Sequence, residues 1–283
     1  MSDSIFVTGG AGAIGKRLVK QLRLKYPSAQ IIIIDNDKSG KDMQNSNYIN
    51  NLLLEFKPKY LYHLAATFSD DFEYSYNINT LVTFSLLKFI GENKLLTRVL
   101  LIGSAAEYGI CNSDKGLSES FPRLPISVYG LTKCYQTDLI QYFQFQGVQV
   151  VEARIFNVFA RGLNERLLLG RIESNISYLL TKKIERIEVG PLDSFRDFIE
   201  INYLILDLIF VCENGLPGEV YNVGSGVPVK VWSVVERFLS LFNLDMRSIK
   251  INKDRGSNTS SKVNKIYADI SKLNMLKGII DEK

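Results

Sequence analysis

The chain of 283 residues has only one histidine and three cysteines. Cys111, Cys134 and Cys212 are widely spaced and odd in number, which argues against a disulfide framework and against a zinc site. The spacing favours reduced thiols. Because a single histidine also leaves few metal ligands, we expect no metal centre.

A large excess of charge of one sign is also absent. The formal net charge is +4, from 34 Lys and Arg against 30 Asp and Glu, which gives little support to nucleic-acid binding. The most apolar stretch, 198–212, is interrupted by Glu200, Asn202 and Asp207, so it is not expected to cross a membrane. The first strand pattern begins close to the N-terminus without a signal-peptide pattern. We therefore expect a cytoplasmic protein with no nucleic-acid partner and no membrane association.

What the sequence does have is a regular alternation of strand and helix patterns. Strand patterns cover 4–8, 31–35, 60–64, 98–103 and 148–154, and helix patterns cover 14–26, 45–56, 76–92 and 129–146. This alternation is typical of a doubly wound parallel sheet. We predict an α/β fold with a Rossmann-type dinucleotide-binding domain over 1–160 and a smaller C-terminal substrate-binding lobe over 161–283. A later strand near 220–223 is predicted to rejoin the first sheet.

The turn between the first strand and the first helix has the sequence Thr8-Gly-Gly-Ala-Gly-Ala-Ile-Gly15. Glycines at 9, 12 and 15 let such a turn approach a dinucleotide pyrophosphate, whose charge the N–H groups of the helix N-terminus stabilise. The motif alone also fits a tight turn in other α/β proteins. The second strand pattern ends at Asp35, whose carboxylate can accept hydrogen bonds from the adenosine ribose. The two features together predict NAD(H) as the favoured cofactor, with NADP(H) as the alternative.

Tyr129 and Lys133 are four residues apart, so on a helix they lie one turn apart on one face. A free tyrosine has a pKa of about 10, and a nearby ammonium group lowers that pKa, so the phenol could exchange protons near neutral pH. The same spacing also occurs in surface pairs. Here the pair opens the helix after strand 98–103, and ligands of open parallel sheets bind at such strand ends. Ser104 lies at the same strand end, where it could bind a substrate carbonyl or cap a turn.

Seven motifs occur in order along the chain: Thr8-Gly-Gly-Ala-Gly-Ala-Ile-Gly15, His63-Leu-Ala-Ala66, Asn79, Gly103-Ser-Ala-Ala-Glu-Tyr-Gly109, Tyr129-Gly-Leu-Thr-Lys133, Arg154-Ile-Phe-Asn157 and Arg196-Asp-Phe198. Together they resemble the extended short-chain dehydrogenase/reductase family, also called the NAD-dependent epimerase/dehydratase family. The resemblance covers most of the chain. It implies an enzyme that acts on a nucleotide-activated sugar.

The resemblance also implies a role for each matching residue. The residues implied to bind the cofactor are Gly9, Gly12, Ala13, Ile14, Gly15, Asp35, Asp42, Ala65, Ala66, Asn79, Tyr129 and Lys133. The residues implied to be catalytic are Ser104, Tyr129 and Lys133. Those implied to contact the sugar nucleotide are Ser104, Asn157 and Arg196. His63 is interpreted as a structural residue at the end of its strand.

Departures from the family pattern narrow the predicted reaction. Family 4,6-dehydratases have acids directly after the catalytic hydroxyl residue, whereas this chain has Ala105 and Ala106. Epimerising reductases place a cysteine at the position of Ala106, so 3,5-epimerisation is disfavoured as well. The segments 103–109 and 189–198 are similar to those of reductases that act on GDP-linked keto sugars, although Thr259 lies where an arginine for the diphosphate would be expected.

The sequence therefore predicts an NAD(P)H-dependent reductase of a nucleoside-diphosphate 4-keto-6-deoxy sugar, with a GDP link favoured, in deoxysugar or surface polysaccharide biosynthesis. The alternatives are a nucleotide-sugar 4-epimerase and a non-catalytic dinucleotide-binding sensor. The resemblance also implies a homodimer through helices 76–92 and 129–146. Leu81, Phe84, Leu139 and Phe143 would suit that interface or packing within one subunit.

Asp35 leads to a testable expectation about the cofactor. A carboxylate repels a 2′-phosphate and no arginine follows it immediately, so the chain should bind NADH more tightly than NADPH. Lys38 is a nearby cation that works against this preference. Calorimetric titration with both reduced cofactors measures the difference, and tighter binding of NADPH would show that the end of this strand has been misread.

Overall fold

The structure is a computed structural model that describes residues 3–35, 44–109, 111, 113–253 and 265–281. The strands are β1 (Ser4–Thr8), β2 (Gln30–Ile34), β3 (Tyr60–His63), β4 (Arg98–Ser104), β5 (Gln149–Ile155), β6 (Asn157–Phe159), β7 (Ile187–Val189), β8 (Phe195–Glu200), β9 (Val220–Val223), β10 (Pro228–Lys230), β11 (Ile249–Ile251) and β12 (Lys265–Ile266). The α-helices are α1 (Ala13–Lys25), α2 (Ser46–Phe56), α3 (Phe72–Tyr76), α4 (Val82–Glu92), α5 (Val128–Phe145), α6 (Leu168–Leu180), α7 (Ile201–Asn214), α8 (Val231–Ser240) and α9 (Ser271–Asp281). A π-helical segment, Asn77–Leu81, joins α3 to α4.

The central sheet is parallel and has the strand order β2-β1-β3-β4-β5-β9. This order confirms the predicted α/β fold of the Rossmann type. The five strand patterns of the first half match β1 to β5 with end shifts of one residue at most. β9 pairs with β5, as expected for the strand near 220–223. The winding direction reverses between β1 and β3, and the carboxyl ends at such a reversal form the ligand crevice of this fold class.

Alternate residues of the central strands pack on opposite faces of the sheet. On one face, residues such as Val7, Leu100 and Val151 pack with side chains of α1 and α7. On the other face, residues such as Phe6, Leu101 and Val150 pack with α2, α4 and α5. Coverage of both faces explains why these strands read as continuous apolar runs rather than alternating ones.

The predicted interface residues on α4 and α5 do not share one environment. Phe143 is fully buried in its own subunit, where its ring lies 5.4 Å from that of Phe84. Leu139 also packs against this core, whereas Leu81 is 40% exposed. Packing within one subunit therefore accounts for three of the four residues, and the homodimer stays a prediction.

The three cysteines are buried and unbridged. In the described part of the chain, no helix combines the length and the apolar character that crossing a bilayer requires.

The strands outside the central sheet form a second, smaller group, and all of them come after β5 in the chain. β8 pairs with β6, β10 and β12, and β7 pairs with β11. Side chains of α6 and α8, including Ile172, Val235 and Phe238, form a separate hydrophobic cluster with β7. The boundary between the two predicted domains stays a prediction.

Asp197 of β8 holds this second group of strands to the loop after β9. Its fully buried carboxylate accepts hydrogen bonds from the backbone N–H groups of Ser225, Gly226 and Ala268, at 2.7, 2.9 and 3.1 Å. The Ser225 hydroxyl donates to the same carboxylate at 2.6 Å. One side chain therefore satisfies buried donors from two separate segments.

Replacing Asp197 should destabilise the protein strongly. Asp197→Ala leaves buried N–H groups without an acceptor, so we expect the free energy of unfolding to fall by roughly 3 kcal/mol or more. Asp193→Ala is the matched control, because Asp193 is exposed and pairs only with the exposed Lys230 among the described residues; its effect should stay within about 0.5 kcal/mol. Urea unfolding of both variants measures the difference, and equal midpoints would contradict the assignment.

Candidate active site

The glycine-rich turn packs tightly against the loop after β3. Gly9 has a φ of +68°, and a Cβ there would lie 2.8 Å from the backbone nitrogen of Ala65. A Cβ on Gly15 would lie 2.2 Å from the carbonyl oxygen of Gly9. Helix α1 begins at Ala13 with Gly12 as its N-cap, and its first turn has no acidic residue. The turn therefore presents a helix N-terminus that fits a dinucleotide pyrophosphate.

Cationic side chains line a cleft beside this turn. The cleft has a volume of about 670 Å³ and includes Lys16, Arg17 and Arg161. Arg17 donates to the carbonyl oxygens of Ala13 and Arg161, at 2.9 and 3.2 Å, and so joins α1 to the loop after β6. Glu173 also lines the cleft and pairs with Arg161 at 3.0 Å, so Lys16 and Arg17 are the cations that could complement the charge of a diphosphate.

Asp35 follows β2 directly and closes onto the glycine-rich turn. Its carboxylate accepts a hydrogen bond from the backbone N–H of Ala11 at 2.5 Å. The structure thus brings Asp35 to the edge of the predicted cofactor site. Asp42, Lys38 and Thr259, which the sequence analysis singled out, lie outside the described residues.

His63 lies at the point where the sheet reverses its winding, between two threonines. Its Nδ1 is 2.8 Å from the Thr8 hydroxyl, and its Nε2 is 3.1 Å from the Thr83 hydroxyl. The Thr83 hydroxyl donates its hydrogen to the carbonyl oxygen of Asn79, so it accepts a hydrogen bond from Nε2–H of His63. Nδ1 is then the unprotonated nitrogen and accepts a hydrogen bond from the Thr8 hydroxyl. Burial lowers the pKa of His63 to about 3, with a smaller contribution from Lys133. The imidazole is therefore neutral and connects β1, β3 and α4.

Asn79 is fully buried in the π-helical segment. Its side-chain oxygen accepts from the backbone N–H of Thr67 at 2.8 Å. Its amide nitrogen donates to the carbonyl oxygen of Thr67 and to the hydroxyl of Thr132, at 3.0 and 2.9 Å. Through these bonds Asn79 supports the loop of Ala65 and Ala66 and the start of α5, and its contact with the cofactor stays a prediction.

Ser104, Tyr129 and Lys133 are brought together at the carboxyl end of β4. Ser104 ends β4, and Tyr129 lies in the first turn of α5, close enough to the Ser104 side chain for it to affect the pKa of the phenol. The Nζ of Lys133 lies 5.9 Å from the centroid of the Tyr129 ring. A Cβ on Gly130 would lie 2.5 Å from the carbonyl oxygen of Ala106, so glycine at 130 lets α5 approach this turn.

The pKa of Tyr129 differs from the sequence-based expectation. Burial raises this pKa, and the nearby Ser104 side chain offsets only part of the rise. Lys133 does not lower it here, because its ammonium group donates to the carbonyl oxygen of Ile102 and to Gln136, each at 2.8 Å. Tyr129 is therefore a neutral phenol in this structure, which is the form that donates a proton.

Lys133 is itself deeply buried, at 2% exposure. Burial lowers its pKa to about 8, and the nearby carboxylates of Glu152 and Glu107 work in the opposite direction. The ammonium form therefore predominates at neutral pH and is lost on moderate alkalinisation.

The residues implied to contact the sugar nucleotide lie just beyond this strand end. Ser104 pairs with Ile155, two residues before Asn157 at the start of β6. The Asn157 amide donates to the carbonyl oxygen of Asp197 at 2.9 Å. Arg196, the neighbour of Asp197 on β8, donates to the carbonyl oxygen of Phe195, and burial lowers its pKa. The structure therefore places Asn157 and Arg196 on paired strands.

Several side chains beside the site were given no role in catalysis by the sequence, although Phe68 was expected to be a packing or substrate-lobe residue. Phe68 lies against Tyr129, with ring centroids 4.4 Å apart. Glu107, Thr137 and Glu152 form a buried polar cluster behind Ser104. The signal for Glu152 was a lone carboxylate in the apolar strand 149–155. Across the described ranges, no group of three His, Cys, Asp or Glu side chains is arranged to hold a metal ion.

The sequence matches the model of the NAD dependent epimerase/dehydratase family over residues 5–224. The chain belongs to this family. It is an NAD(P)-dependent nucleotide-sugar oxidoreductase of the epimerase/dehydratase type.

Two curated relatives of this epimerase/dehydratase-family chain have names that describe GDP-linked 6-deoxy sugars. It is 32% identical to GDP-6-deoxy-D-talose 4-dehydrogenase from Aggregatibacter actinomycetemcomitans, over 95% of this chain and 89% of that protein. It is 24% identical to GDP-6-deoxy-D-mannose reductase from Pseudomonas aeruginosa, over 88% of this chain and 84% of the relative.

Solved structures share the fold. RMD from Pseudomonas aeruginosa in complex with NADPH superposes with a TM-score of 0.81 at 23% identity, covering 98% of this chain and 92% of that one. A dTDP-glucose 4,6-dehydratase from Bacillus anthracis in complex with NAD has a TM-score of 0.80 at 20% identity, covering 99% and 91%. Proteins with this fold thus bind either dinucleotide.

The neutral phenol of Tyr129 leads to an expectation about turnover. Tyr129→Phe should lower turnover by roughly a hundredfold to ten-thousandfold, because it removes a positioned proton donor, and should leave cofactor affinity nearly unchanged. Steady-state kinetics and cofactor titration measure the two effects. Tyr142→Phe is the matched control, since this exposed tyrosine lies on the same helix. Near-normal activity of Tyr129→Phe would exclude Tyr129 as the acid.

Proposed function

We propose that this protein is an NAD(P)H-dependent reductase of a nucleoside-diphosphate 4-keto-6-deoxy sugar, with GDP as the favoured nucleotide. The product would serve deoxysugar or surface polysaccharide biosynthesis. The names of two relatives support this proposal, since both describe oxidation or reduction of a GDP-linked 6-deoxyhexose. A 4-dehydrogenase and a 4-keto reductase catalyse opposite directions of one reaction.

The observation that carries the proposal is the juxtaposition of Ser104 and Tyr129 at the end of β4, with Ala105 and Ala106 directly after Ser104. Reduction of a ketone needs one proton donor for the oxygen. Elimination, or epimerisation next to the ketone, needs further acids and bases that remove protons from carbon. Alanine side chains cannot exchange protons, so positions 105 and 106 favour the simpler reaction.

Each residue of this group has a distinct role in the proposed reaction. The bound dinucleotide supplies the hydride that reduces the C4 carbonyl. Ser104 orients and polarises the carbonyl through its hydroxyl, and Tyr129 donates its phenolic proton to the C4 oxygen. Lys133 would stabilise the phenolate that this transfer leaves once its ammonium group moves from Ile102 and Gln136 toward Tyr129 in the cofactor complex.

The cofactor site of the proposal consists of the glycine-rich turn and Asp35. Gly9, Gly12 and Gly15 allow the close approach, while Ala13 and Ile14 open the helix at the pyrophosphate. Ala65 and Ala66 border the same turn. Asn157 and Arg196 are proposed to face the sugar nucleotide, and a homodimer through α4 and α5 is part of the proposal.

The reductase and the 4-epimerase differ in how they use the cofactor. A reductase consumes one reduced cofactor per turnover, whereas a 4-epimerase regenerates its dinucleotide and retains it. Supplied with GDP-, dTDP-, UDP- and CDP-linked 4-keto-6-deoxy sugars, the protein should oxidise NADH or NADPH stoichiometrically with at least one of them, most rapidly with a GDP sugar. It should also lose bound cofactor on gel filtration.

Tyr129→Phe is the control for non-enzymatic oxidation in this experiment. Retention of NAD⁺ through purification, with interconversion of two UDP-hexoses and no net change in nicotinamide absorbance, would establish the epimerase alternative instead. Cofactor binding without turnover of any sugar nucleotide would favour the non-catalytic sensor.

A further inference from the structure

Two glutamates are completely buried behind Ser104. Glu107 comes from the turn after β4 and Glu152 from the middle of β5, and neither has measurable exposure. The hydroxyl of Thr137 on α5 lies between them, 2.8 Å from Glu107 Oε2 and 2.7 Å from Glu152 Oε2. Gly103 makes room for this pair, because a Cβ there would lie 2.3 Å from Glu152 Oε1.

The number of available protons shows that one carboxyl group is protonated. A threonine hydroxyl has a single hydrogen, and the Thr137 hydroxyl also lies 3.2 Å from the carbonyl oxygen of Lys133. If both carboxyls were ionised, at least one of the two short contacts would join two oxygen atoms without a hydrogen. At least one carboxyl must therefore donate a proton to Thr137.

The surrounding donors identify which carboxyl this is. Glu107 Oε1 accepts from the backbone N–H of Ser104 at 2.8 Å, and Oε2 accepts from Arg154 Nη2 at 2.9 Å. Both oxygens of Glu107 are thus acceptors, as in an ionised carboxylate. Glu152 Oε1 accepts no hydrogen bond within the described ranges, and Arg154 Nη2 is 3.4 Å away. The proton therefore belongs on Glu152 Oε2.

We propose that Glu152 is a positioning residue that holds one proton next to Thr137 and, by releasing it, adds a negative charge that favours the ammonium form of Lys133. The protonated carboxyl group of Glu152 donates a hydrogen bond to the Thr137 hydroxyl, which donates one to Glu107. Glu107 in turn accepts a hydrogen bond from the backbone N–H of Ser104. When Glu152 loses the proton, its carboxylate stabilises the ammonium group of Lys133. The kinetic part of this inference rests on the proposed function, whereas the position of the proton does not.

The charged and titratable groups that face Glu152 come from three elements. They are Glu107 from the turn after β4, Tyr129 and Lys133 from α5, and Arg154 from β5. Burial raises the pKa of Glu152 to about 8, and Glu107 adds to the rise, while Arg154, Thr137 and Lys133 lower it. The pKa of Lys133 is also about 8. Glu152 and Lys133 therefore titrate in the same pH range, and the charge of each group affects the pKa of the other.

The proton on Glu152 can be tested without substrate. The infrared difference spectrum of wild type minus Glu152→Gln at neutral pH should show the carbonyl stretch of a carboxylic acid. A raised pKa in the folded state also means that only the unfolded chain releases this proton between its ordinary pKa and about pH 8. The melting temperature of the wild type should therefore fall more steeply with pH over this range than that of Glu152→Gln.

Glu107→Gln is the matched comparison for stability. Glutamine resembles a neutral acid, so Glu152→Gln should fold and keep a near-normal maximal rate. Glu107→Gln leaves Arg154 without its ionised partner and should be much less stable or fail to fold. Absence of the acid band, or tolerance of Glu107→Gln together with loss of folding in Glu152→Gln, would overturn the assignment.

The pH profile tests the effect on Lys133. Glutamine cannot become a carboxylate, so the alkaline limb of kcat/KM in Glu152→Gln should move to lower pH by about one unit. A purely structural role would scale the rate equally at every pH, and an unmoved limb would refute the coupling to Lys133. If the wild type reduces no keto sugar, the proposed function fails, while the infrared and melting experiments still decide where the proton lies.

Discussion

The ion pair between Arg154 and Glu107 connects more of this structure than any single apolar contact described above. Arg154 is 1% exposed, and it also donates to the Tyr108 hydroxyl at 3.1 Å while its guanidinium lies 4.9 Å from the centre of that ring. Tyr108 in turn donates to Asn222 of β9 at 2.7 Å. One guanidinium therefore links β5, the turn after β4 and β9. Removing one partner of such a buried pair costs about 3–5 kcal/mol, because the other charge is left uncompensated.

A second polar chain connects the two halves of the proposed site. It begins at Thr8, passes through His63 and Thr83 to the carbonyl of Asn79, and continues from the Asn79 amide to Thr132 on α5. The glycine-rich turn follows Thr8, and Tyr129 precedes Thr132 by three residues. The cofactor turn and the proton donor are thus held in one network of buried hydrogen bonds, which fixes their relative position more rigidly than loop packing would.

The sequence was sufficient for features that depend on local pattern. Buried parallel strands require apolar runs, and the glycines at 9, 12 and 15 mark a tight turn in which Gly9 and Gly15 leave no room for a Cβ, so β1 to β5 and the glycine-rich turn could be predicted. The Ser104, Tyr129 and Lys133 group followed from its order along the chain. The three-residue strands β6, β7, β10 and β11 could not be predicted, because their pairing comes from distant segments. The pKa of Tyr129 and the sharing of Thr137 by two glutamates depend on burial and on contacts between three elements, which spacing does not encode.

Because Gly103 leaves space for the side chain of Glu152, the substitutions tolerated at positions 103 and 152 depend on each other. A methyl group at 103 would lie 2.3 Å from Glu152 Oε1, so alanine fits at 103 only if the carboxyl of Glu152 shifts or residue 152 becomes shorter. Conversely, a chain that has lost Glu152 gains a cavity that an alanine at 103 could fill. The order in which substitutions arise therefore decides which are tolerated, and libraries that vary one of these positions at a time would miss the compatible pairs.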